Sequence, residues 1–396
     1  NFVFCDPDFL PPKHVHKIDF IGHMLLTCPS YTPILITMGT DPKQPYNELP
    51  TLPPTVNIET APILRASINS NKALAELKGL AETIPNQTIF VNTISLKESQ
   101  YSSEIENIIT TTDELYQAYS LSDHHTTPAT KEVLRYKNAL WKGYSLLKKN
   151  GLLTVNIINK IQSELLQSNA GIRTLPGTSL KNAINGQVIY TPPDNKRIIQ
   201  DKLKNLESYI HSNTIDPLIK LAIIHYQFEA IHPYYDGNGR TGRILNVLYL
   251  IHQNLLSQPI LYLSHYIIKN KDTYYQLLRD VTFKGRFEPW ILYILDCIEA
   301  SSKESILKIK AIQTLMKETT ATIKNNAPKL YSRDLIDVLF QQPYCKVKFL
   351  EDHGIAKRKT ASEYLHQLEK IGILSSKKIG RENLFLNKKL FELFKK

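Results

Sequence analysis

Apolar residues change rhythm several times along this chain of 396 residues. From Glu59 onward, Ile63, Leu64, Ile68, Leu74, Leu77 and Leu80 recur mostly three or four apart, which predicts a helix that ends by Pro85. A second helix is expected over Glu104–Ala118, and several more follow to about Gln167. Between Gly171 and Asn195 the helical period is lost. Gly171, Gly177 and Gly186 punctuate that stretch, Gln187–Tyr190 favours a strand, and two prolines close it, so a β-hairpin is expected. Helical spacing returns over Ile198–Ser212, Asp216–Ile231, Asn238–Leu256, Lys271–Val281 and Glu288–Lys324. The five prolines of Asp41–Thr55 favour an extended connector. The pattern predicts a mainly α protein.

Near the end, Ala356–Asn387 reads as a helix followed by strand, turn and strand. Thr360 and Glu363 suit a capping box, and Ala361, Tyr364, Leu365 and Leu368 then share one face. Leu335–Ile355 supplies two earlier helices. These breaks divide the chain into an N-terminal segment of unassigned role (1–55), a helical region (56–170), a core with the hairpin (171–300), a linking helix (301–328) and a C-terminal domain (329–396).

Composition narrows the class. Apolar residues make up 42% and charged residues 21%, as in ordinary globular proteins, and no apolar run is long enough to predict a membrane span. Cys5, Cys28, Cys297 and Cys345 lie far apart, which argues against a disulfide framework and suits a reducing cytoplasm. Asn1–Thr40 lacks the order of a signal peptide, so a cytoplasmic setting is expected. Net charge is +11, with 13 Lys/Arg against 6 Asp/Glu in Tyr344–Lys396. Such an end suits nucleic acid or a solvated surface equally.

The densest chemistry lies in Ala230–Arg243, AIHPYYDGNGRTGR. Pro233 ends the preceding helix, and Gly237 and Gly239 allow a turn whose N–H groups converge on an anion. The next helix adds its positive end, with Arg240 and Arg243 one turn apart. Guanidinium pairs of this kind suit a polyphosphate, Asp236 is a natural ligand for Mg2+, and His232 can take a proton from a hydroxyl. Together they predict nucleotidyl or phosphoryl transfer to a hydroxyl. His225, Glu229 and His232 share a helical face, but the spacing is not that of a zinc helix, and His225 reads as a packed histidine.

HPYYDGNGRTGR resembles the Fic family signature H-P-F-x-D/E-G-N-G-R-x-x-R, with Tyr234 where phenylalanine is usual, and the resemblance runs over roughly Pro50–Ala300. It implies a Fic-type helical bundle with a β-hairpin flap, and the C-terminal segment resembles a winged helix-turn-helix. The implied activity is AMP transfer from ATP, with Mg2+, to a Tyr, Thr or Ser hydroxyl of a target protein or of the chain itself. His232 would be the base and Asp236 the metal ligand. Backbone amides of Gly237, Asn238, Gly239, Arg240, Thr241 and Gly242, with the Asn238 side chain, would cradle the phosphates, and Arg240 and Arg243 would meet the β/γ oxygens of the leaving diphosphate. Tyr274 and Tyr275 match an aromatic pair near the adenosine, and Gln187, Val188, Ile189 and Tyr190 a flap that aligns the target by strand pairing. Ser102–Asn107, SSEIEN, fits the family's inhibitory pattern S/T-x-x-x-E-G/N, with Glu106 set against Arg243. Removal of AMP by the same pocket, and a nucleotide-sensing DNA-binding regulator, are the competing readings. DNA contact through the tail and a homodimer stay open.

Overall fold

The computed structural model describes residues 41–396 apart from 85, 122–125, 182–184, 214, 380, 381 and 396. Asp123–His125, a polar stretch with paired histidines, therefore lies outside the described residues. The first half comprises α1 (Ala61–Glu82), α2 (Thr88–Ile105), α3 (Thr112–Ser120), α4 (Pro128–Asn150), α5 (Val155–Leu166), and a hairpin of β1 (Leu180–Lys181) and β2 (Val188–Tyr190). Then come α6 (Lys196–His211), α7 (Pro217–Ile231), α8 (Asn238–His252), α9 (Ser264–Lys269), α10 (Lys271–Lys284) and α11 (Phe287–Asn326). The remainder is α12 (Arg333–Phe340), β3 (Tyr344–Cys345), α13 (Val347–Asp352), α14 (Arg358–Lys370), β4 (Ser375–Ile379), β5 (Glu382–Leu386) and α15 (Lys388–Lys395).

Helices α7 and α8 are the centre. Both are buried on nearly every side: apolar residues occupy the whole circumference of α7 and most of the second half of α8, whereas the polar first turns of α8 are buried at the site. Asp216 starts α7 by accepting from the N–H groups of Leu218 and Ile219, with Pro217 in the first position, where a missing N–H costs nothing. Around this centre α11 is tied to α7 by the Trp290 indole, which donates to the Ala222 carbonyl at 2.7 Å, and to α1 by Ser70 Oγ, which donates to Leu295 O at 2.8 Å. Gly143 lets α4 approach closely: a Cβ there would lie 2.6 Å from Leu248 Cδ1 of α8. No helix among the described residues is long and apolar enough to cross a membrane.

One predicted helix is two. The expected element over Glu104–Ala118 breaks after Ile105, where Glu106 caps α2 and Asn107 turns left-handed at φ 62°. A fresh start follows at Thr111, whose hydroxyl accepts from Glu114 N while the Glu114 carboxylate accepts from Thr111 N. The expected cap of α14 also differs. That helix begins at Arg358 behind an extended Lys357, which places Thr360 inside the first turn, where it caps nothing.

The C-terminal sheet has strand order β3-β5-β4, all antiparallel. Ala361, Leu365 and Leu368 of α14 are buried, and Tyr364 is partly so. This part leans on α3. Tyr344 Oη donates to the Asp113 carboxylate, Lys377 Nζ reaches Asp113 Oδ2 at 3.2 Å, and Tyr116 lies 5.9 Å from Phe394 between ring centres.

Candidate active site

The loop between α7 and α8 is assembled from both ends. His232 closes α7 in a left-handed conformation, φ 47° and ψ 60°, with its N–H on Phe228 O at 3.0 Å. Such geometry costs a residue with a Cβ about 1–2 kcal/mol, so the surroundings must hold it. Gly237, at φ 75°, opens α8 at no such cost. Between them the Asn238 side chain makes a reciprocal pair with Tyr234, donating from Nδ2 to the Tyr234 carbonyl and accepting Tyr234 N–H on Oδ1, both at 2.8 Å. Both polar atoms of Asn238 are thus engaged in shaping the loop. Tyr234 is fully buried, and its hydroxyl donates to Asn159 Oδ1 of α5 at 2.7 Å. That bond is why a tyrosine is accommodated at an apolar position.

Charge is arranged unevenly around this loop. Burial and the Arg173 cation push the His232 imidazole down to about 4, against Glu106, the Glu229 carbonyl and Asp236, so the ring is neutral at pH 7. Asp236 stays largely exposed; its Oδ1 accepts from Gly237 N at 2.6 Å and lies 3.5 Å from Arg240 Nη2. Arg240 is buried, 3.6 Å from Glu132 Oε1 on α4, yet its Nε and Nη1 make no hydrogen bond among the described residues. A buried guanidinium with unused donors beside a helix N-terminus is ready for an anion.

Arg243 is occupied. Its Nε donates to Ser102 Oγ at 2.7 Å, and Nη2 donates to Ser102 O at 2.8 Å and to Glu106 Oε1 at 2.9 Å. Burial would raise the Glu106 carboxyl, but Arg243, Arg240 and His232 outweigh it and hold it below its ordinary value. Burial likewise opposes the Arg243 charge, and Glu106, Tyr274, Tyr136 and Glu229 overcome it. Both partners are charged. The carboxylate also lies against the glycine turn: a Cβ on Gly239 would fall 2.3 Å from Glu106 Oε1, and one on Gly242 2.3 Å from Glu229 Oε1.

The aromatic pair divides. Tyr274 is buried, with its hydroxyl 2.9 Å from His225 Nε2, whereas Tyr275 is 40% exposed. His225 stacks on Trp290 and burial pushes it down to about 3, the behaviour of a packed histidine. No group of three or more His, Cys, Asp or Glu side chains among the described residues could hold a metal. In the hairpin, Gln187 is exposed, Val188 and Ile189 are half-buried, and Tyr190 anchors β2 by donating to Ala230 O at 2.7 Å. Arg173, Asn159, Glu132 and Tyr235 also shape the site, although no local pattern marks them. Their partners lie tens of residues away along the chain.

The fold defines a helical protein built around a glycine turn with two arginines, and comparison places it. Three family models match: Fic/DOC family N-terminal over residues 64–145, Fic/DOC family over 152–250, and the C-terminal domain of SoFic-like protein adenylyltransferase over 315–390. The chain belongs to the Fic/DOC family. Protein adenylyltransferase Fic of Aedes aegypti is 25% identical over 186 residues, 46% of this chain and 34% of that protein. Protein adenylyltransferase fic-1 of Caenorhabditis elegans is 30% identical over 121 residues, 30% of this chain and 22% of that one. The chain therefore spans about a third or less of the length of these relatives. A Fic family protein from Desulfovibrio desulfuricans G20 shares the fold at a TM-score of 0.55 and 16% identity, covering 84% of this chain and 98% of its own.

Proposed function

We propose that the chain is a protein adenylyltransferase, held back by Glu106, that moves AMP from ATP to a Tyr, Thr or Ser hydroxyl of a target protein or of itself. The observation that carries this is the buried Arg240 with unused donors, next to a neutral His232 and across a glycine turn from an Arg243 clamped by a carboxylate. Relatives named as adenylyltransferases support the same reading.

In this reading His232 takes the proton of the attacking hydroxyl. The new bond joins that oxygen to the α-phosphorus, the bond to the bridging oxygen breaks, and diphosphate leaves. Charge on the leaving group falls to Arg240, to the N–H groups at the start of α8 and, once Glu106 withdraws, to Arg243, donors held on a buried helix so that little reorganisation is needed. Asp236, one exposed carboxylate without a cluster around it, fits Mg2+ that arrives with a triphosphate, since that ion needs only one or two carboxylates. When bound it supplies charge neutralisation on the phosphates. Glu106 takes up the Arg243 fork needed by the terminal phosphate, which favours an unproductive pose. Val188–Tyr190, paired only with β1 among the described residues, leaves an edge to which a target segment adds by main-chain bonds. The tail is read as a winged helix whose exposed Arg358, Lys359 and Lys370 on α14 suit DNA phosphates. Free, buried Cys297 and Cys345 suit a cytoplasmic setting.

The test is incubation with α-labelled ATP and Mg2+. Self-labelling is expected, stronger in Glu106→Gly and absent in His232→Ala. No label on Glu106→Gly, with candidate targets supplied, would overturn the reading.

A further inference from the structure

Arg173 lies between the hairpin and the loop and has no exposed surface. Its Nε donates to the His232 carbonyl at 2.8 Å, and its Nη2 donates to Ile231 O at 3.3 Å and to Pro193 O. Its own N–H donates to Pro233 O at 3.0 Å. One side chain thus collects carbonyls from the end of α7 and from the return leg of the hairpin. The next two residues continue the seam: Thr174 N and Leu175 N donate to the Tyr235 hydroxyl at 2.9 and 3.2 Å.

Two physical demands meet at this point. The final carbonyls of a helix have no partner within it and carry its negative end, which a cation satisfies. A left-handed histidine relaxes unless its flanking peptides are held, and a guanidinium is rigid enough to hold two of them. We infer that Arg173 is a positioning residue for the transfer reaction: it locks the peptides on either side of His232 and fastens the base to the two segments that flank the flap, its own and that of Pro193. The inference rests on the adenylyltransferase reading. It goes beyond that reading by assigning the alignment of base and target to a residue outside the signature motif.

The imidazole is faced by Arg173, by Glu106 at the end of α2, by Asp236 on the loop and by the Glu229 carbonyl of α7. Among these, Arg173 is the cation that disfavours the protonated ring, so its removal raises the pH at which the base is lost.

The experiment uses the full chain in the Glu106→Gly background and compares Arg173→Gln with Arg173→Lys. Because a misplacement of about 1 Å costs on the order of 10²-fold, kcat is expected to fall by about that factor in both, with KM for ATP nearly unchanged. The acid limb of the pH–rate profile should rise by up to about 1 unit in Arg173→Gln, as for loss of a nearby charge. It should stay in place in Arg173→Lys, which keeps the charge but loses the fork. A folded Arg173→Lys with parental kcat would overturn the proposal, as would an unmoved acid limb in Arg173→Gln. If Arg173→Gln does not fold, kcat of Arg173→Lys alone decides. Should the parental chain transfer nothing, the functional reading fails by itself. NMR titration of the His232 ring in the parent and Arg173→Gln then judges the seam, and an unchanged ring pKa overturns it.

Discussion

Two helices stop beside the site, and each stops at a left-handed residue, but they are held differently. At the end of α7, His232 is fixed by Arg173 on its carbonyl, by the Asn238–Tyr234 pair across the loop and by the Tyr234 hydroxyl on Asn159. At the end of α2, Glu106 and Asn107 form a short bridge to α3, and Glu106 reaches the site through one carboxylate oxygen on Arg243. The first is multiply braced from inside the protein. The second is held more lightly: Ser102 of α2 also accepts from Arg243 through Oγ and its carbonyl, but the Glu106 side chain itself is 34% exposed and makes one hydrogen bond among the described residues, to Arg243. On the proposed reading the contrast divides the labour: the base is braced from several sides, and the inhibitory carboxylate is held by fewer bonds at a partly open surface.

Substitutions test that division. The largest effect is expected from His232→Ala, which should reduce AMP transfer by about 10²–10⁴-fold, as for loss of a positioned base, measured with labelled ATP in the Glu106→Gly background. Next comes Asn238→Ala. It removes both bonds to Tyr234, and at about 1 kcal/mol each it should lower stability by about 2 kcal/mol in denaturant unfolding and weaken transfer. Glu106→Gly should act in the opposite direction, raising self-labelling by about tenfold or more, because a hydrogen bond between charged groups contributes about 1.5–3 kcal/mol. An unchanged rate in that variant would mean that the clamp does not restrain the enzyme. Tyr234→Phe is expected to cost about 1 kcal/mol through the unpaired Asn159 oxygen while leaving the rate near that of the parent.

Acid should separate the two ends as well. Since His232 is depressed to about 4, transfer by the released enzyme should persist as pH falls from 8 and decline only as that value is approached. Glu106 in the folded chain titrates below its ordinary 4.5. Its contribution is therefore complete above that ordinary value and is lost only as pH falls through the lower folded one. Mild acid at pH 5–6 should not release the brake, which self-labelling of the unmodified chain across that range will check.

The site was legible in the sequence where its residues are neighbours. His232, Asp236, the glycine turn and both arginines fall within one loop and one helical turn, so spacing alone places them together. The break at Glu106 was hidden because Ile105, Ile108, Ile109 and Leu115 prolong an apolar rhythm through it. The capping box at Thr111 and Glu114 was the available signal for a new start. Arg173 could not be read this way, because its side chain's partners are main-chain carbonyls up to 59 residues distant, and carbonyls leave no mark in a sequence. β3 is two residues long, too short to show alternation.

The seat of the tail on α3 bears on how a shortened protein would behave. Cutting the chain after α11 would strip Asp113 of Tyr344 and Lys377 and lay the Tyr116 ring open to water, only a few residues downstream of Glu106. On the proposed reading, a trimmed fragment would then carry a loosened inhibitor, and its speed would overstate that of the intact molecule.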